Sequence, residues 1–329
     1  MHFNNLIYEK LNMINSSIPT IIIAGPTASG KTKLSINLAR KLNGEIINAD
    51  AMQIFEGFEI LKAMPTKEEK CGIEHHLFGF VSIKEKYSVA KWLHDANAKI
   101  IEVNNRNKVP IFVGGSGMYL NAATKGLSII PSISLQTRMK ATDLYERKGF
   151  DYIYKKLIAH DTEGGLKINI NDRQRLIRAY EVFLETGKPI WWWQSRPNLK
   201  PIINSSLKIL ISPSKEKLYP KINERVDRMV NDGLLLEVKN VFANNLSPDL
   251  QSFKAIGINY FFDFLKGETS LEEAIKKTKQ ESRRYAKRQM TWFKNSFISD
   301  LLHSNLYRDN DELVENAIKA FNLLSNRKC

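Results

Sequence analysis

The 329-residue sequence predicts an α/β fold: a parallel sheet wrapped by helices, with an all-helical subdomain inserted into it. Three observations support this. Short β-branched runs recur, each leading into a glycine-containing turn and an amphipathic stretch, which is the order of strand, turn and helix in a parallel sheet. The first such turn is rich in glycine and small hydroxyl residues. From about residue 132 to 206 the strand signal gives way to helix-forming sequence, after which another apolar strand returns.

Residues 1–19 read as a short leader before the fold begins; Glu9 and the lack of a long apolar run argue against a secretion signal. Residues 20–24, Thr-Ile-Ile-Ile-Ala, form a buried-looking strand. A helix is expected over 31–42, with Leu34, Leu38 and Leu42 on one stripe and Asn43-Gly44 ending it. A second strand covers 45–48 and closes at Ala49-Asp50. A third covers 109–113 and ends at Gly114-Gly115-Ser116-Gly117, with a helix from near Met118. Residues 134–190 look helical throughout, broken at Gly164-Gly165 and ended by Gly187-Lys188-Pro189. Another strand is expected at 207–211, and 214–329 is mostly helical. The expected domains are therefore a core made of 20–131 and 207–329, and an inserted helical subdomain at 132–206.

Charge and composition narrow the function. The chain has 49 Lys+Arg against 35 Asp+Glu, a formal charge of +14, which favours a polyanionic partner. Its longest apolar runs, such as 21–24 and 111–113, fall far short of a membrane span, which needs about 20 residues. Cys71 and Cys329 cannot build a disulfide framework or a four-cysteine zinc site, so a reducing, cytoplasmic setting is expected.

The segment Gly25-Pro26-Thr27-Ala28-Ser29-Gly30-Lys31-Thr32 has the P-loop spacing, so the sheet is expected to be P-loop NTPase-like. Its glycines let successive backbone N–H groups turn toward an anion, and the following helix adds its positive end. Lys31 supplies a point charge for phosphate oxygens, and Thr32 a hydroxyl for Mg²⁺. A hydrolytic P-loop enzyme usually carries an acid at the end of an apolar strand to help hold the metal. Here the third strand ends in Val113-Gly114-Gly115, and the nearest strand-end acid is Asp50. A transferase that binds a diphosphate leaving group fits this arrangement at least as well as an ATPase.

Several motifs together resemble the tRNA dimethylallyltransferases (tRNA isopentenyltransferases). They are the P-loop itself, Asp50-Ala51-Met52-Gln53-Ile54-Phe55, Tyr87-Ser88-Val89-Ala90, Val113 to Tyr119, Asn171 to Arg178 with its trailing Glu185 to Pro189, and Arg284 to Phe293. The resemblance runs from about residue 20 to 295. It implies transfer of a dimethylallyl group from dimethylallyl diphosphate to N6 of adenosine 37, beside the anticodon of tRNA, by a monomer. The family's Gly-Thr-Ala-Lys-Pro segment reads Leu61-Lys62-Ala63-Met64-Pro65 here, Phe55 replaces a tyrosine and Ser116 a threonine.

The resemblance implies roles for individual residues. The loop Gly25–Thr32 would hold the diphosphate, with Mg²⁺ on Thr32, and Arg225 would reach the same group; a surface ion pair is the plainer reading of Arg225. Asp50 would accept the N6 proton, although Asp after a strand is also a common helix N-cap. Ser116 would lie near the adenine, or merely cap the next helix. Asp50, Ala51, Met52, Gln53, Arg138, Gln174, Arg175, Leu176, Ile177, Arg178 and the segment Ala255-Ile256-Gly257-Ile258-Asn259 would hold the anticodon stem-loop. A solvated face is the plainer alternative for the arginines of 173–178.

Residues 276–294 hold eight basic residues and one acid, Glu281, with Tyr285, Trp292 and Phe293 interleaved. Such a segment suits RNA through Arg283, Arg284, Lys287 and Arg288; part of it is expected to pack on the P-loop core, with Trp292 inside. His75-His76 lack the spacing of a helical ligand pair, and Trp191-Trp192-Trp193 read as packing. A P-loop kinase for a small molecule or nucleoside, or a non-catalytic RNA-binding module, are the other readings. The kinase leaves the basic segment unexplained, and the module leaves Lys31, Thr32 and Asp50 without a purpose.

Overall fold

A computed structural model of the chain describes residues 18–160, 168–169, 171–196, 198–247, 249–308 and 311–326. The expected leader up to residue 17 and the expected break at Gly164-Gly165 lie outside the described residues. The chain divides into two compact units, Met1–Thr124 with Pro201–Cys329, and Lys125–Lys200.

In the first unit the elements run β1 (Thr20–Ala24), α1 (Lys31–Leu42), β2 (Gly44–Asn48), α2 (Lys67–Lys70), β3 (His75–His76), α3 (Val89–Asn105), β4 (Val109–Gly114) and α4 (Gly117–Lys125). The second unit holds β5 (Leu127–Ser128), α5 (Leu135–Ile158), α6 (Arg173–Thr186), α7 (Ile190–Gln194) and β6 (Asn198–Leu199). The chain then returns to the first unit as β7 (Ser206–Ile211), α8 (Lys215–Asn231), α9 (Leu234–Phe242), a 3₁₀ turn (Gln251–Lys254), α10 (Ile258–Leu265), α11 (Leu271–Ser296), β8 (Leu301–His303) and α12 (Asp311–Asn326).

Six strands form one parallel sheet in the order β3-β2-β4-β1-β7-β8. β1, β2 and β4 are buried along their whole length, as strands covered on both faces must be. The chain runs from β1 past the later β4 to β2 and β3, returns to β4, and then crosses to β7 on the other side of β1. The strand order therefore reverses between β1 and β4, and in open α/β sheets ligands bind beyond the carboxyl ends of strands at such a point. The loops after β1, β2 and β4 carry the P-loop, Asp50 and Ser116.

One core cluster joins β1, β4 and β7 to Leu34 and Leu38 of α1 and to Val314, Ala317 and Phe321 of α12. A second collects Phe58, Leu234, Val238, Phe253, Ile258, Phe261 and Ala274. β3 and β8 were not expected from the sequence; each is a short edge strand. The 26-residue α11 buries Ala274, Thr278, Ser282, Ala286, Gln289 and Phe293 on one face. Phe293, 1% exposed, is the aromatic of this helix that enters the core; Trp292 is only half-buried, lying over Gly117, where a Cβ would meet its ring.

The second unit begins seven residues before the expected 132 and ends six before the expected 206. The antiparallel pair β5–β6 explains the shift, since it ties the two ends of the insertion together as a neck. α5 bends at Gly149 (φ 74°), ahead of the break expected at Gly164-Gly165, and packs on α6 through Ala141, Ile153, Leu157, Leu176 and Ala179. Among the described residues, no helix is long and apolar enough to cross a membrane.

Candidate active site

The loop after β1 is shaped by backbone sterics. Gly25 and Gly30 have φ of 155° and 97°, and Ala28 joins them in the left-handed region at 62°. At Gly30 a Cβ would stand 2.5 Å from the Tyr307 carbonyl oxygen, so only glycine lets the loop pass there. The loop leads straight into α1, whose first turn holds no acid and whose N-terminal N–H groups carry the positive end of the helix dipole. Lys31 Nζ donates to the Pro26 carbonyl at 2.7 Å. Burial lowers the Lys31 pKa from 10.5 to about 8; the Asp50 carboxylate works against that fall and the Arg225 guanidinium adds to it.

Arg225 comes from α8 and donates to Thr27 Oγ1 at 2.5 Å. Burial takes its pKa from 12.5 to about 10, with Asp50 again holding it up. Two positive side chains and one carboxylate thus share a poorly solvated space. Arg225 Nε and Ser29 Oγ are buried without hydrogen-bond partners. Buried donors left unpaired are costly, and beside Lys31 they fit an anionic ligand such as a diphosphate. The exposed side chain of Thr32 stands at the start of α1. Among the described residues, no group of three or more His, Cys, Asp or Glu could hold a metal ion. A hard cation is compatible with this donor set when the remaining ligands are phosphate oxygens and water.

Asp50 sits just beyond β2. It does not cap a helix, because turns follow it. Its N–H donates to Asn48 Oδ1 at 2.8 Å, and its Oδ1 accepts from the Met52 N–H at 2.9 Å. Asn48 is anchored in turn by donating to the Leu77 carbonyl, and Trp92 Nε1 donates to the Asn48 carbonyl at 3.0 Å. Trp92 is fully buried and stacks on Tyr119, ring centroids 4.3 Å apart. Burial raises the Tyr119 phenol, and the charge of Asp50 adds to the rise.

The turn after β4 closes over the same point. A Cβ on Gly114 would fall 2.1 Å from the Ala49 carbonyl oxygen, so the glycine permits β4 to end against the Asp50 loop. Ser116 Oγ accepts from the Ala51 N–H at 2.8 Å, and the Ser116 N–H donates to the Ala49 carbonyl. Ser116 thereby fastens the Asp50 loop as well as beginning the next helix.

Sequence reasoning missed Gln289. From the buried face of α11 its Oε1 accepts from the Thr27 N–H at 2.9 Å, while its Nε2 donates to the Gly115 carbonyl at 3.0 Å. One side chain therefore joins the P-loop to the turn after β4, and the Thr27 amide is spent there. Tyr285, one turn earlier, has its phenol raised by burial and by the charge of Asp50, while hydrogen bonds from Ser116 and Gln289 oppose the rise. The signal available in sequence was the helical spacing of Tyr285 and Gln289 among basic residues, but nothing there says which face turns inward.

The other expected site residues are placed as follows. The amide nitrogen of Gln53 donates to the carbonyls of Lys62 and Ala63, both at 2.9 Å. Ala255, Gly257 and Ile258 are buried, whereas Asn259 is exposed. In the second unit Arg138, Gln174 and Arg175 are exposed and Ile177 and Arg178 half-buried, but Leu176 serves the core. Arg173, Arg175 and Arg178 pair with Glu146, Asp172 and Glu181. Arg196 lies over the Trp192 ring, 3.7 Å from its centroid, and Trp191 packs against the unit's core. His76 Nε2–H donates to the Glu45 carboxylate, and His75 Nδ1–H donates to the Ile73 carbonyl.

Residues 53–296 match the family model described as IPP transferase. The chain is 41% identical over 281 residues to the tRNA dimethylallyltransferase of Hyphomonas neptunium, covering 85% of this chain and 89% of that one. It is 42% identical to the Bartonella quintana protein of the same name, over 84% and 93%. Among solved structures, the full-length tRNA isopentenylpyrophosphate transferase of Bacillus halodurans superposes with a TM-score of 0.67 at 34% identity, over 94% and 97% of the two chains. A eukaryotic dimethylallyltransferase acting on tRNA gives 0.76 at 29% identity, over 94% and 79%.

Proposed function

The chain belongs to the IPP transferase family, and from that premise we propose how its residues share the prenylation of a tRNA adenosine. It is a transferase that modifies tRNA, and a small-molecule kinase is not the favoured reading. The acceptor is proposed to be N6 of adenosine 37 and the donor dimethylallyl diphosphate, with the protein acting as a cytoplasmic monomer. The observation that carries the division of roles is the meeting of Lys31, Arg225 and Asp50 at the carboxyl ends of β1 and β2.

The bond between the dimethylallyl C1 and its diphosphate oxygen breaks as N6 bonds to that carbon. Negative charge grows on the leaving oxygens, and donors already aimed at them lower the barrier without reorganising. Lys31, Arg225, Ser29 and the N–H groups at the start of α1 are those donors. Mg²⁺, held by Thr32 and the diphosphate, would neutralise part of the same charge. N6 becomes cationic as the bond forms, and Asp50 takes its proton. Two ties fix the Asp50 carboxylate and its loop, the Met52 N–H and the Ala51–Ser116 bond. The adenine has to leave the anticodon-loop stack to reach this point, at a cost of a few kcal/mol.

RNA is held, in this proposal, by two basic surfaces described separately. In the first unit Lys287 and Arg288 are exposed on α11, beside Arg283 and Arg284, and Asn259 of α10 adds a polar contact. In the inserted unit Arg138, Gln174, Arg175 and Arg178 are available, with Leu135 and Met139 exposed on the same helix as Arg138. Phosphate contacts of this kind position the RNA, while splayed loop bases supply preference.

Incubation with unmodified tRNA, Mg²⁺ and labelled dimethylallyl diphosphate tests the reaction: label enters the tRNA. Asp50→Ala abolishes that transfer and leaves tRNA binding within about threefold; equal loss of both would count against Asp50 as the proton acceptor.

A further inference from the structure

We propose that Lys62 is a positioning residue for the reaction, one that clasps the Asp50–Glu56 segment from inside the protein without touching either substrate. The proposal rests on the reading of Asp50 given above. Lysine is almost never buried unless its charge is met, yet Lys62 is only 9% exposed. Among the described residues it makes no ion pair. Its Nζ instead donates to the Phe55 carbonyl at 2.5 Å and the Glu56 carbonyl at 3.3 Å, and lies 6.0 Å from the centroid of the Phe58 ring.

The clasp runs in both directions. Lys62 reaches back to the carbonyls that end the Asp50 segment, and Gln53, inside that segment, reaches forward to the Lys62 and Ala63 carbonyls. Residues 60 and 61 are bolted in turn to α9, where the Glu237 carboxylate accepts from the Ile60 N–H at 2.8 Å and the Leu61 N–H at 3.1 Å. The Asp50 loop is therefore held from two sides, by Ser116 at its start and by Lys62 at its end. Four carboxylates face the ammonium: Glu237 on α9, and Glu59, Asp50 and Glu56 from the flanking turns. Burial nevertheless takes its pKa from 10.5 down to about 8. A hydrophobic residue of the same length would avoid that desolvation but leave the Phe55 and Glu56 carbonyls without this donor. A lysine kept at such a cost is explained by what its hydrogen bonds hold.

The test compares Lys62→Met, which keeps the volume, with Lys62→Gln, which restores an N–H donor. Three quantities are read: kcat at saturating tRNA and donor, equilibrium affinity for each substrate, and hydrogen exchange of amides 51–56. The expected result for Lys62→Met is a kcat lower by about 10- to 100-fold, the scale of a carboxylate misplaced by about 1 Å. Both affinities should stay within about threefold and exchange over 51–56 should accelerate, with Lys62→Gln recovering part of both effects. Unchanged exchange, retained kcat, or a loss confined to substrate affinity would each overturn the proposal. Should Lys62→Met fail to fold, Lys62→Gln against the wild type gives the same readings in milder form. Asp50→Asn, measured alongside, separates the two ideas: if it still transfers, the reading of Asp50 fails, and the exchange of 51–56 alone decides whether Lys62 holds the segment.

Discussion

Raising the pH from 7.5 to 9.5 is expected to weaken binding of dimethylallyl diphosphate to the free enzyme about 25-fold. The magnitude comes from Lys31, whose pKa burial lowers from 10.5 to about 8, with Asp50 partly opposing and Arg225 reinforcing the shift. A bound diphosphate reverses that imbalance, because an anion beside the ammonium favours the charged form. The pKa is thus low in the free enzyme and high in the complex, and binding above pH 8 takes up a proton. At pH 7.5 about three quarters of the free enzyme carries the charge, and at pH 9.5 about three in a hundred; the ratio sets the fold-change. Arg225, at about 10, stays mostly charged across the window. The donor itself contributes little there, since a terminal phosphate completes its ionisation near pH 6. Titration calorimetry without tRNA, in two buffers of different ionisation enthalpy, measures affinity and proton uptake together. Lys31→Met is the control, with weak binding and no pH slope. A wild-type affinity constant within twofold between pH 7.5 and 9.5, or a slope that survives in Lys31→Met, would refute the reasoning.

Gln289→Leu strips the Thr27 N–H and the Gly115 carbonyl of their partner; urea unfolding should show a loss of about 2 kcal/mol or more, and donor affinity should fall because the P-loop is no longer tied. Glu45, 1% exposed in its side chain, has a carboxyl that burial pushes up but that Arg106, His76 and Lys108 together hold down at about 2. Its contribution is present above the ordinary value of 4.5 and fades as the pH falls toward 2. Wild type should therefore lose about 2 kcal/mol more than Glu45→Gln between pH 5 and pH 3, read by denaturant titration at each pH.

The central strands were legible because a parallel sheet covered on both faces is written as uninterrupted β-branched sequence; β1 and α1 fall where the sequence put them, and β2 and β4 differ by one residue. The P-loop was legible because its backbone conformation demands glycine at fixed positions. β3 and β8 were not, since strands of two and three residues at a sheet edge carry no period, and β8 is recognisable only from its register with β7. The helical block expected over 134–190, with its break placed at Gly164-Gly165, carries a bend at Gly149 that was not expected, a single glycine that looks tolerable within a helical pattern until packing demands the bend. At the site, Lys31, Asp50 and Ser116 lie in local motifs, and each sits at a strand end that sequence could place. Gln289 and Lys62 act through partners 262 and 7 residues away, and both work by bonding main-chain atoms. Such bonds depend on where the backbone goes, which no side-chain pattern records.

The same distinction explains why a strongly basic helix carries the most buried glutamine of the site. α11 is +7 over residues 276–294, and Lys287 and Arg288 stand exposed on it. If its only task were to attract RNA, its inward face would need nothing but apolar side chains for the core. That face instead spends Gln289 on the P-loop and on the turn after β4, and places Tyr285 beside Ser116 and Asp50. Arg283 is fastened to Asn223 of α8, two residues before Arg225, so the helix also braces the arginine proposed to reach the diphosphate. Were RNA bound on the outer face to shift this single 26-residue helix, Gln289 on its inner face would move with it. If RNA binds the outer face and the donor binds the P-loop, as proposed above, the two events are joined through the Gln289 hydrogen bonds, and any coupling between them has to be reciprocal: whatever factor tRNA applies to donor affinity, donor applies to tRNA affinity.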